Sequence, residues 1–217
     1  MNIRLLDKND KAALEQLIYT IENALPVPEW WIPIDDIERS HFFDADWTCF
    51  LGAFNDDNEL VAASALFFNE HEFAEEAEKL GLDIRSTNVA EIGRCMVHPD
   101  FRGHNLMCEL NKRLCSIARN RGIDTILAVA HPDNVASNSS FRRLGAELIS
   151  TATLFGSNLF NIYILPCYFV NNILVVSVGH GRLSLINPPC LPRPFLFTYI
   201  AVALATAILL QPSTILP

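Results

Sequence analysis

The feature that most constrains the fold is the stretch VAEIGRCMVHPDFRGHNLM, residues 89–107. It begins as a β-rich apolar run, breaks at residues 98–100, and restarts behind Gly103 with the pattern of a helix. Pro99 cannot continue a strand ladder, and Gly103 lets the backbone approach a ligand closely. The first amide groups of the following helix are therefore left without intrahelical partners. The stretch predicts a strand, a turn and an exposed helix N-terminus.

This helix N-terminus has the chemistry of an anion site. Residues 103–107 contain no Asp or Glu that would compete for the free amides, and Arg102 adds a planar donor suited to phosphate. A pyrophosphate group is therefore the predicted ligand. A lone glycine-containing turn is a weak signal, and a plain strand-to-helix connection in another α/β domain is the alternative.

The same residues resemble the acetyl-CoA loop of the GNAT acyltransferase superfamily, which reads Gln/Arg-x-x-Gly-x-Gly/Ala after a strand ending in Val-x-Pro. Arg102 and Gly103 match this pattern, whereas Asn105 and Met107 fill its two small positions. Asn105 is the milder departure, because Asn tolerates positive φ better than other residues. The resemblance implies that acetyl-CoA is bound by Cys95, Met96, Val97, Arg102, Gly103, His104, Asn105, Leu106 and Met107.

A second match, Asn-x-x-Ser-x-x-x-Phe-x-x-x-Gly from position 134, has the spacing of the later superfamily signature Asn-x-x-Ala/Ser-x-x-x-Tyr-x-x-x-Gly. The resemblance implies that Asn134 and Ser137 contact the cofactor and that Phe141 lies near its sulfur. Helix capping by Ser137 and Asn138, and core packing of Phe141, are the alternatives. Together the two motifs extend the resemblance over residues 1–165.

The resemblance implies an α/β (α+β) fold with a mixed, mostly antiparallel central sheet that is flanked by helices and splayed at the acyl-CoA site. Acidic residues between positions 70 and 78 are interpreted as the solvated face of a helix. Hydrophobic periodicity predicts a strand at 3–6, a helix at 8–24, a short helix at 34–43, a hairpin at 48–68, strands at 89–97 and 125–130, a helix at 134–144, and strands at 148–155 and 160–165.

Glu91 is the candidate catalytic base. Acetylation of an amine needs a base to take a proton from the ammonium or from the attacking amine. Glu91 lies six residues before Val97, and the run Glu-Ile-Gly-Arg-Cys-Met-Val resembles the Glu-Ile-x-x-Cys-x-Val/Ile run around the catalytic glutamate of the histone-acetyltransferase branch. The alternative is a structural glutamate at the strand edge that pairs with Arg94 or another base.

The reaction also needs donors for the thioester oxygen and protonation of the leaving thiolate. By resemblance, the donors are the backbone amides of Cys95 and Val97, and Gly93 is a plausible β-bulge. Phe141 stands where family members commonly carry Tyr, and a phenyl ring cannot donate a proton. A more distant donor such as Tyr163, unaided departure of a fairly acidic thiol, or lost activity are the alternatives.

The predicted function is an N-acetyltransferase that transfers an acetyl group from acetyl-CoA to a primary amine by direct attack in a ternary complex. A non-catalytic acyl-CoA-binding module is the alternative, favoured by the departures at Asn105, Met107 and Phe141. Trp30 and Trp31 are expected near the acceptor entrance, where they would hold an ammonium by cation–π contact or pack a loop onto the core.

Charge and cysteine usage limit the partners. All 25 acidic residues lie at or before Glu147, whereas only two of the 16 basic residues lie beyond it. The acidic body argues against sequence-independent nucleic-acid binding and favours a cationic acceptor. The six cysteines form no CxxC pair and have no His at ligand spacing, so reduced thiols and no metal are predicted. A cytoplasmic location is expected, because no signal-like segment precedes the first strand.

Residues 166–217 form an apolar, Pro-interrupted tail outside the family pattern. Within it, residues 195–210 are an uncharged apolar run that as a helix would span about 24 Å, short of a bilayer core of roughly 30 Å. A marginal C-terminal membrane anchor, an extension packed on the body, and sequence translated out of frame are the three alternatives.

Overall fold

The computed structural model describes residues 1–83, 88–156 and 158–166, together with two strands in the tail. Contacts divide the chain into two units, Met1–Cys167 and Tyr168–Pro217. In the second unit, Val175–Gly179 and Arg182–Ile186 pair as an antiparallel two-stranded sheet. The segment 195–210 considered as a membrane anchor lies outside the described residues. Within the described ranges, no helix has the length and apolarity to cross a bilayer.

The first unit is built on a seven-stranded mixed sheet. Its strands are β1 Asn2–Leu5, β2 Thr48–Phe54, β3 Leu60–Phe67, β4 Val89–Val97, β5 Thr125–Ala130, β6 Glu147–Leu154 and β7 Asn158–Pro166. Their order across the sheet is β1-β2-β3-β4-β5-β7-β6, and every neighbouring pair is antiparallel except β4 and β5. The predicted mixed, mostly antiparallel sheet is confirmed.

Helices cover both faces of this sheet. They are α1 Lys11–Ala24, α2 Asp36–Ser40, α3 Ala74–Leu80, α4 Leu106–Asn120 and α5 Val135–Arg143. The apolar residues of α1 and those of α4 belong to two separate core clusters. Ala62 of β3 lies in the cluster of α4 and Ala63 in that of α1, because successive strand residues point to opposite faces.

The two central strands separate soon after they meet. Parallel pairing of β4 with β5 is limited to residues 89–91 against 125–127. Beyond that point β4 continues to Val97 beside β3, while β5 continues to Ala130 beside β7. The sheet is therefore splayed at its centre, where the resemblance implied an acyl-CoA site.

A β-bulge lies on β4 beside this gap. The pairing with β3 shifts so that Ser64 stands opposite two residues, Arg94 and Cys95. Arg94 has φ +47, in the left-handed region, which costs a non-glycine residue about 1–2 kcal/mol. Gly93 itself pairs in regular register with Ala65, so the bulge expected at Gly93 lies at the two residues that follow it.

Candidate active site

A cavity of about 580 Å³ opens between the diverging strands β4 and β5. Five residues from the two sequence motifs lie in its wall: Glu91, Cys95, Asn134, Ser137 and Phe141. Strand β4 brings the first two to the cavity, and α5 with its N-cap brings the other three. Residues that are about 40 positions apart in the chain therefore face one open cavity.

The Glu91 carboxyl is buried in this wall, with only 7% of the residue exposed. Among the described residues it forms no hydrogen bond. Burial, followed by the neighbouring carboxyl of Glu76, raises the pKa of Glu91 well above its ordinary value, and the nearby Arg94 opposes the shift. A carboxyl with a raised pKa that faces a cavity is suited to take a proton from a ligand near neutral pH.

The structural alternative for Glu91 was a pair with Arg94 or another base. Arg94 does not form that pair. Its Nε donates to Oε1 of Glu38 at 2.7 Å, and its Nη2 donates to the second oxygen of the same carboxylate. A third bond runs from Nη1 to the carbonyl oxygen of Ile32 at 2.5 Å. The side chains of Arg94 and Glu38 are 11% and 6% exposed, so this is a buried ion pair. Arg94 is thereby committed to another carboxylate, and Glu91 has no ion-pair partner among the described residues.

The acidic segment around α3 is not a solvated helix face, contrary to the sequence interpretation. Glu76 is fully buried, neither of its carboxyl oxygens has a hydrogen-bond partner among the described residues, and burial raises its pKa to about 7. Glu72 lies in the cavity wall, where it accepts a hydrogen bond from Nε1 of Trp47 at 3.2 Å. Burial, and then the charge of Glu38, raises the pKa of Glu72 as well.

The reason for this difference lies in how α3 packs. Phe73 at its N-terminal end and Ala77 within it pack with Val89 of β4 in one apolar cluster. Glu76, three residues after Phe73, lies near the same helix face and is carried into the interior. Of the five glutamates between 70 and 78, only Glu70 and Glu78 are exposed. The sequence indicated an inner face of Phe73, Ala77 and Leu80 for this helix, but not that Glu76 is buried beside it.

The predicted anion-binding residues lie on an exposed turn after β4. A short 3-10 helix, Pro99–Phe101, follows the strand, and residues 102–105 are all exposed. Gly103 has φ +82, and Asn105 has φ +60, the positive φ that its amide side chain tolerates. A Cβ added at Gly103 would meet no atom within 4 Å, so the turn leaves open space there.

Helix α4 begins later than the sequence predicted. Its first residue is Leu106, because the positive φ at Asn105 delays entry into the helix. Glu109 therefore falls in the first turn, which the sequence interpretation had as free of acid. Its carboxylate accepts a hydrogen bond from Nε of Arg113 at 3.1 Å. No side chain caps this N-terminus with a hydrogen bond.

Arg143 is a further cation at this turn, and no pattern in the sequence pointed to it. Its Nη1 donates to Oδ1 of Asn105 at 3.3 Å, across the contact between α5 and α4. Arg143 and Arg102 thus place two guanidinium groups near the N-terminus of α4. This supports the chemistry of an anion site.

Besides Cys95 and Phe141, four candidate cofactor residues pack against the core. Met96 and Leu106 are buried, at 1% and 7% exposure, so they are available to a ligand only through their backbone atoms. Val97 and Met107 are partly buried against the cluster of α4. The amide of His98 donates to the carbonyl of Val61 in β3, so the alternation of an antiparallel pair turns the Val97 N–H away from β3 toward the gap.

Asn134 is the N-cap of α5, because its Oδ1 accepts a hydrogen bond from the backbone N–H of Ser137 at 3.1 Å. Capping by Ser137 or Asn138, the alternative in the sequence analysis, is not observed. Asn138 is buried and accepts hydrogen bonds at Oδ1 from Asn161 at 2.8 Å and from the Tyr163 hydroxyl at 2.6 Å. The Tyr163 phenol is thus engaged behind the cavity and does not reach its wall as a proton donor.

Phe141 is both a core residue and a wall residue. It is 2% exposed and belongs to the core cluster of α4, yet it also borders the cavity. Its ring centroid lies 5.6 Å from that of Tyr163. The core alternative for Phe141 is therefore correct and compatible with a position beside a ligand.

Cys95 is the one described thiol in the cavity wall. Its Sγ lies 3.2 Å from Oγ of Ser64 and within hydrogen-bond reach of the Asn111 amide. Burial raises the pKa of this thiol. Cys49, Cys95 and Cys108 are free thiols, and the described ranges contain no cluster of three potential metal ligands.

The sequence model of the Acetyltransferase (GNAT) family matches residues 15–146, more than half of the sequence. The chain therefore belongs to this family. The splayed sheet and the turn at the N-terminus of α4 occur within the matched residues.

Solved acetyltransferase structures share this fold at low sequence identity. The structure of NAA60 from Arabidopsis thaliana in complex with acetyl-CoA matches with a TM-score of 0.60 and 11% identity, over 78% of this chain and 98% of the other. The ribosomal-protein-S18-alanine N-acetyltransferase from Escherichia coli matches with a TM-score of 0.55 and 16% identity, over 80% of this chain and 97% of the other. A probable acetyltransferase from Staphylococcus epidermidis matches with a TM-score of 0.57 and 21% identity, over 76% of this chain and 98% of the other. No curated protein matches the sequence significantly.

Proposed function

We propose that this chain is an N-acetyltransferase that transfers an acetyl group from acetyl-CoA to a primary amine by direct attack in a ternary complex. The observation that carries the proposal is the buried Glu91 carboxyl, which has no hydrogen-bond partner among the described residues and faces a cavity at the splay of the sheet. A carboxyl in such a position is costly unless it binds or exchanges a proton with a ligand. Family membership provides the donor class, since relatives of this fold bind acetyl-CoA.

Acetyl-CoA would bind along the turn and α5. Its pyrophosphate would lie at the uncapped N-terminus of α4, where Arg102 and Arg143 supply positive charge and Gly103 leaves room for a close approach. The backbone of residues 95–97 and 103–107 would contact the rest of the cofactor. Asn134, Ser137 and Phe141 would border the acyl arm where it enters the cavity.

The chemistry would then proceed in one attack. The acceptor ammonium loses a proton to the Glu91 carboxylate, and the freed nitrogen attacks the thioester carbon. A carbon–nitrogen bond forms, and as the carbon–sulfur bond breaks the nitrogen releases its second proton to solvent. The CoA thiolate takes a proton from solvent, and Glu91 loses its proton to solvent before the next turnover. The Val97 N–H, which points away from β3, would stabilise the oxygen of the intermediate. Phe141 supplies no proton, which a thiolate leaving group tolerates because a thiol is already fairly acidic.

A second candidate function is a non-catalytic acyl-CoA-binding module. Two observations favour it: Asn105 is held at φ +60 where the family pattern has a small residue, and no phenol borders the cavity at position 141. This alternative retains the anion site at α4 and assigns Glu91 no proton transfer.

Measuring acetyl-CoA binding by calorimetry and CoA release with a panel of amines distinguishes these functions. The panel would include a polyamine, an arylalkylamine, an aminoglycoside and a lysine-containing peptide. We expect CoA release that requires both acetyl-CoA and one of the amines. Tight binding without release for any amine class would support the binding module. Absence of acetyl-CoA binding would contradict both functions.

A further inference from the structure

One wall of the cavity is formed by residues 30–38, which we call the acceptor-side segment. Seven of its nine residues border the cavity, among them Trp30, Trp31 and Asp35. The segment runs from the end of the short 3-10 helix Pro28–Trp30 into α2. Its position therefore sets the width of the space beside Glu91.

Arg94 holds this segment to the sheet. Its guanidinium bonds both the Glu38 carboxylate and the Ile32 carbonyl, and its Cζ lies 5.3 Å from the centre of the Trp31 ring. Among the described residues, every hydrogen bond between the acceptor-side segment and the sheet comes from Arg94. One face of the Trp31 ring is thus occupied by the protein's own cation.

Stability alone does not account for Arg94 at this position. A non-glycine residue at φ +47 is strained, whereas glycine would adopt this conformation at no steric cost. A buried ion pair contributes little net stability, because desolvation of both charges offsets their attraction. The presence of an arginine at position 94 is therefore explained by its contacts with Glu38 and Ile32 in the cavity wall.

We infer that Arg94 is a positioning residue for the acceptor: through Glu38 and Ile32 it clamps the acceptor-side segment against the bulge of β4 and so fixes the amine-binding half of the cavity. This inference deepens the proposed function and rests on it. The clamp also neutralises Glu38, so that Asp35, Glu72 and Glu91 are left as the acidic groups in the cavity wall that would meet a cationic acceptor.

Two substitutions separate the side chain from the backbone. Arg94→Ala removes the clamp and keeps the strain at φ +47, whereas Arg94→Gly removes the clamp and relieves the strain. We expect both variants to raise the KM for an accepted amine by roughly 10- to 100-fold, the range that corresponds to loss of hydrogen bonds to a charged group. The dissociation constant of acetyl-CoA should stay at the parent value. Arg94→Gly should also melt at a higher temperature than Arg94→Ala, and Arg94→Lys should restore part of the acceptor KM.

Arg4→Ala is the matched control. Arg4 also forms a two-bond ion pair, with Asp10, and stacks on an aromatic ring, that of Phe54, but it does not border the cavity. Its loss should leave the acceptor KM unchanged. An Arg94→Gly protein with a parental acceptor KM would overturn the inference, as would a fall in kcat alone.

Hydrogen exchange provides a readout that does not need turnover. The amides of residues 30–38 should exchange faster in Arg94→Gly than in the parent, while those of β2 and β3 stay protected. Unchanged exchange in the segment would show that Arg94 does not hold it. If the parent protein acetylates no amine, the proposed function fails, and the exchange experiment still decides whether the clamp exists.

Discussion

The two halves of the proposed site, the cofactor side (the turn after β4 with α5) and the acceptor side (residues 30–38 with Glu72, Glu91 and Arg94), differ in how the sequence encodes them. On the cofactor side, Asn134 caps its own helix through a bond to Ser137 three residues later, and the anion turn is one contiguous stretch. On the acceptor side, Arg94 bonds Glu38 across 56 positions, and Glu72 joins from a third segment. The cofactor side thus depends on backbone conformation and helix ends, whereas the acceptor side depends on long-range side-chain pairs. The first can be conserved as a motif, while the second can change with the acceptor.

Glu91→Gln is expected to have the largest effect and tests the acceptor side directly. The amide keeps the shape of the side chain but cannot take the proton, so kcat should fall by roughly 10²- to 10⁴-fold, with the acetyl-CoA dissociation constant unchanged. In the parent, activity should decline on the acid side at a pH well above the ordinary titration range of Glu, because burial raises the Glu91 pKa. Steady-state kinetics across pH, with calorimetry, would measure both. Equal kcat in the two proteins would make Glu91 structural.

Glu76→Gln tests whether burial of the Glu76 carboxyl lowers the free energy of unfolding. The pKa of Glu76 rises from 4.5 to about 7 on folding. Between these values the folded state holds more protons than the unfolded state, so stability falls as pH rises, by on the order of 3 kcal/mol in total. The variant should therefore be more stable than the parent at pH 8 and should lose part of this pH dependence.

Denaturant unfolding at pH 5 and pH 8 would measure the effect of Glu76→Gln. The exposed Glu78, two residues later on the same helix, provides the control substitution Glu78→Gln. That variant should follow the parent at both pH values. A parental pH slope in Glu76→Gln would mean that the carboxyl is not buried in solution as it is in the structure.

Arg102→Ala tests the cofactor side. Loss of one charge-assisted phosphate contact should weaken acetyl-CoA binding by about 1.5–3 kcal/mol without unfolding the domain, because Arg102 is exposed. Arg113→Ala removes a cation from the same region of sequence, but one that pairs with Glu109 on α4. Calorimetry should show weaker binding only in the first variant. Parental affinity in Arg102→Ala would remove this residue from the anion site.

Phe141→Tyr is expected to have the smallest effect. It tests whether a phenol at position 141, between the cofactor side and the acceptor side, assists departure of the thiolate. A phenol bordering the cavity would offer a proton to the leaving thiolate, but a thiol is already acidic, so we expect only a few-fold rise in kcat. The same change in a Glu91→Gln protein should have no effect, since a restored acid cannot help a step that the base no longer starts. A rise of equal size in both backgrounds would show that Tyr acts other than through thiolate departure.

Much of the fold could be predicted from the sequence because its signals are local. Apolar residues at helical spacing marked α1, alternating and apolar runs marked the strands, and Pro99 with Gly103 marked the turn after β4. The two motifs also placed five residues that the fold brings to one cavity. The predicted positions of the start of α4 and of the β-bulge were wrong by a residue or two, because the φ angle of one residue determines each of these positions.

The larger errors concern side chains whose surroundings come from elsewhere in the chain. Nothing near Arg143 in the sequence indicates that it reaches Asn105. Nothing near Tyr163 indicates that its hydroxyl is engaged by Asn138. Composition led to a solvated interpretation of the acidic segment, because the burial of one glutamate among five is not visible in their spacing.

The sequence by itself determined the strand, turn and helix that make the cofactor side, because residue periodicity, proline, glycine and helix caps act on the backbone within a few positions. Only the tertiary structure decided the state of each carboxyl. It pairs Glu38 with Arg94, leaves Glu91 and Glu72 facing the cavity, and encloses Glu76. Ion pairing depends on the distance between side chains, and desolvation depends on what packs over them, so neither can be read from neighbours along the chain.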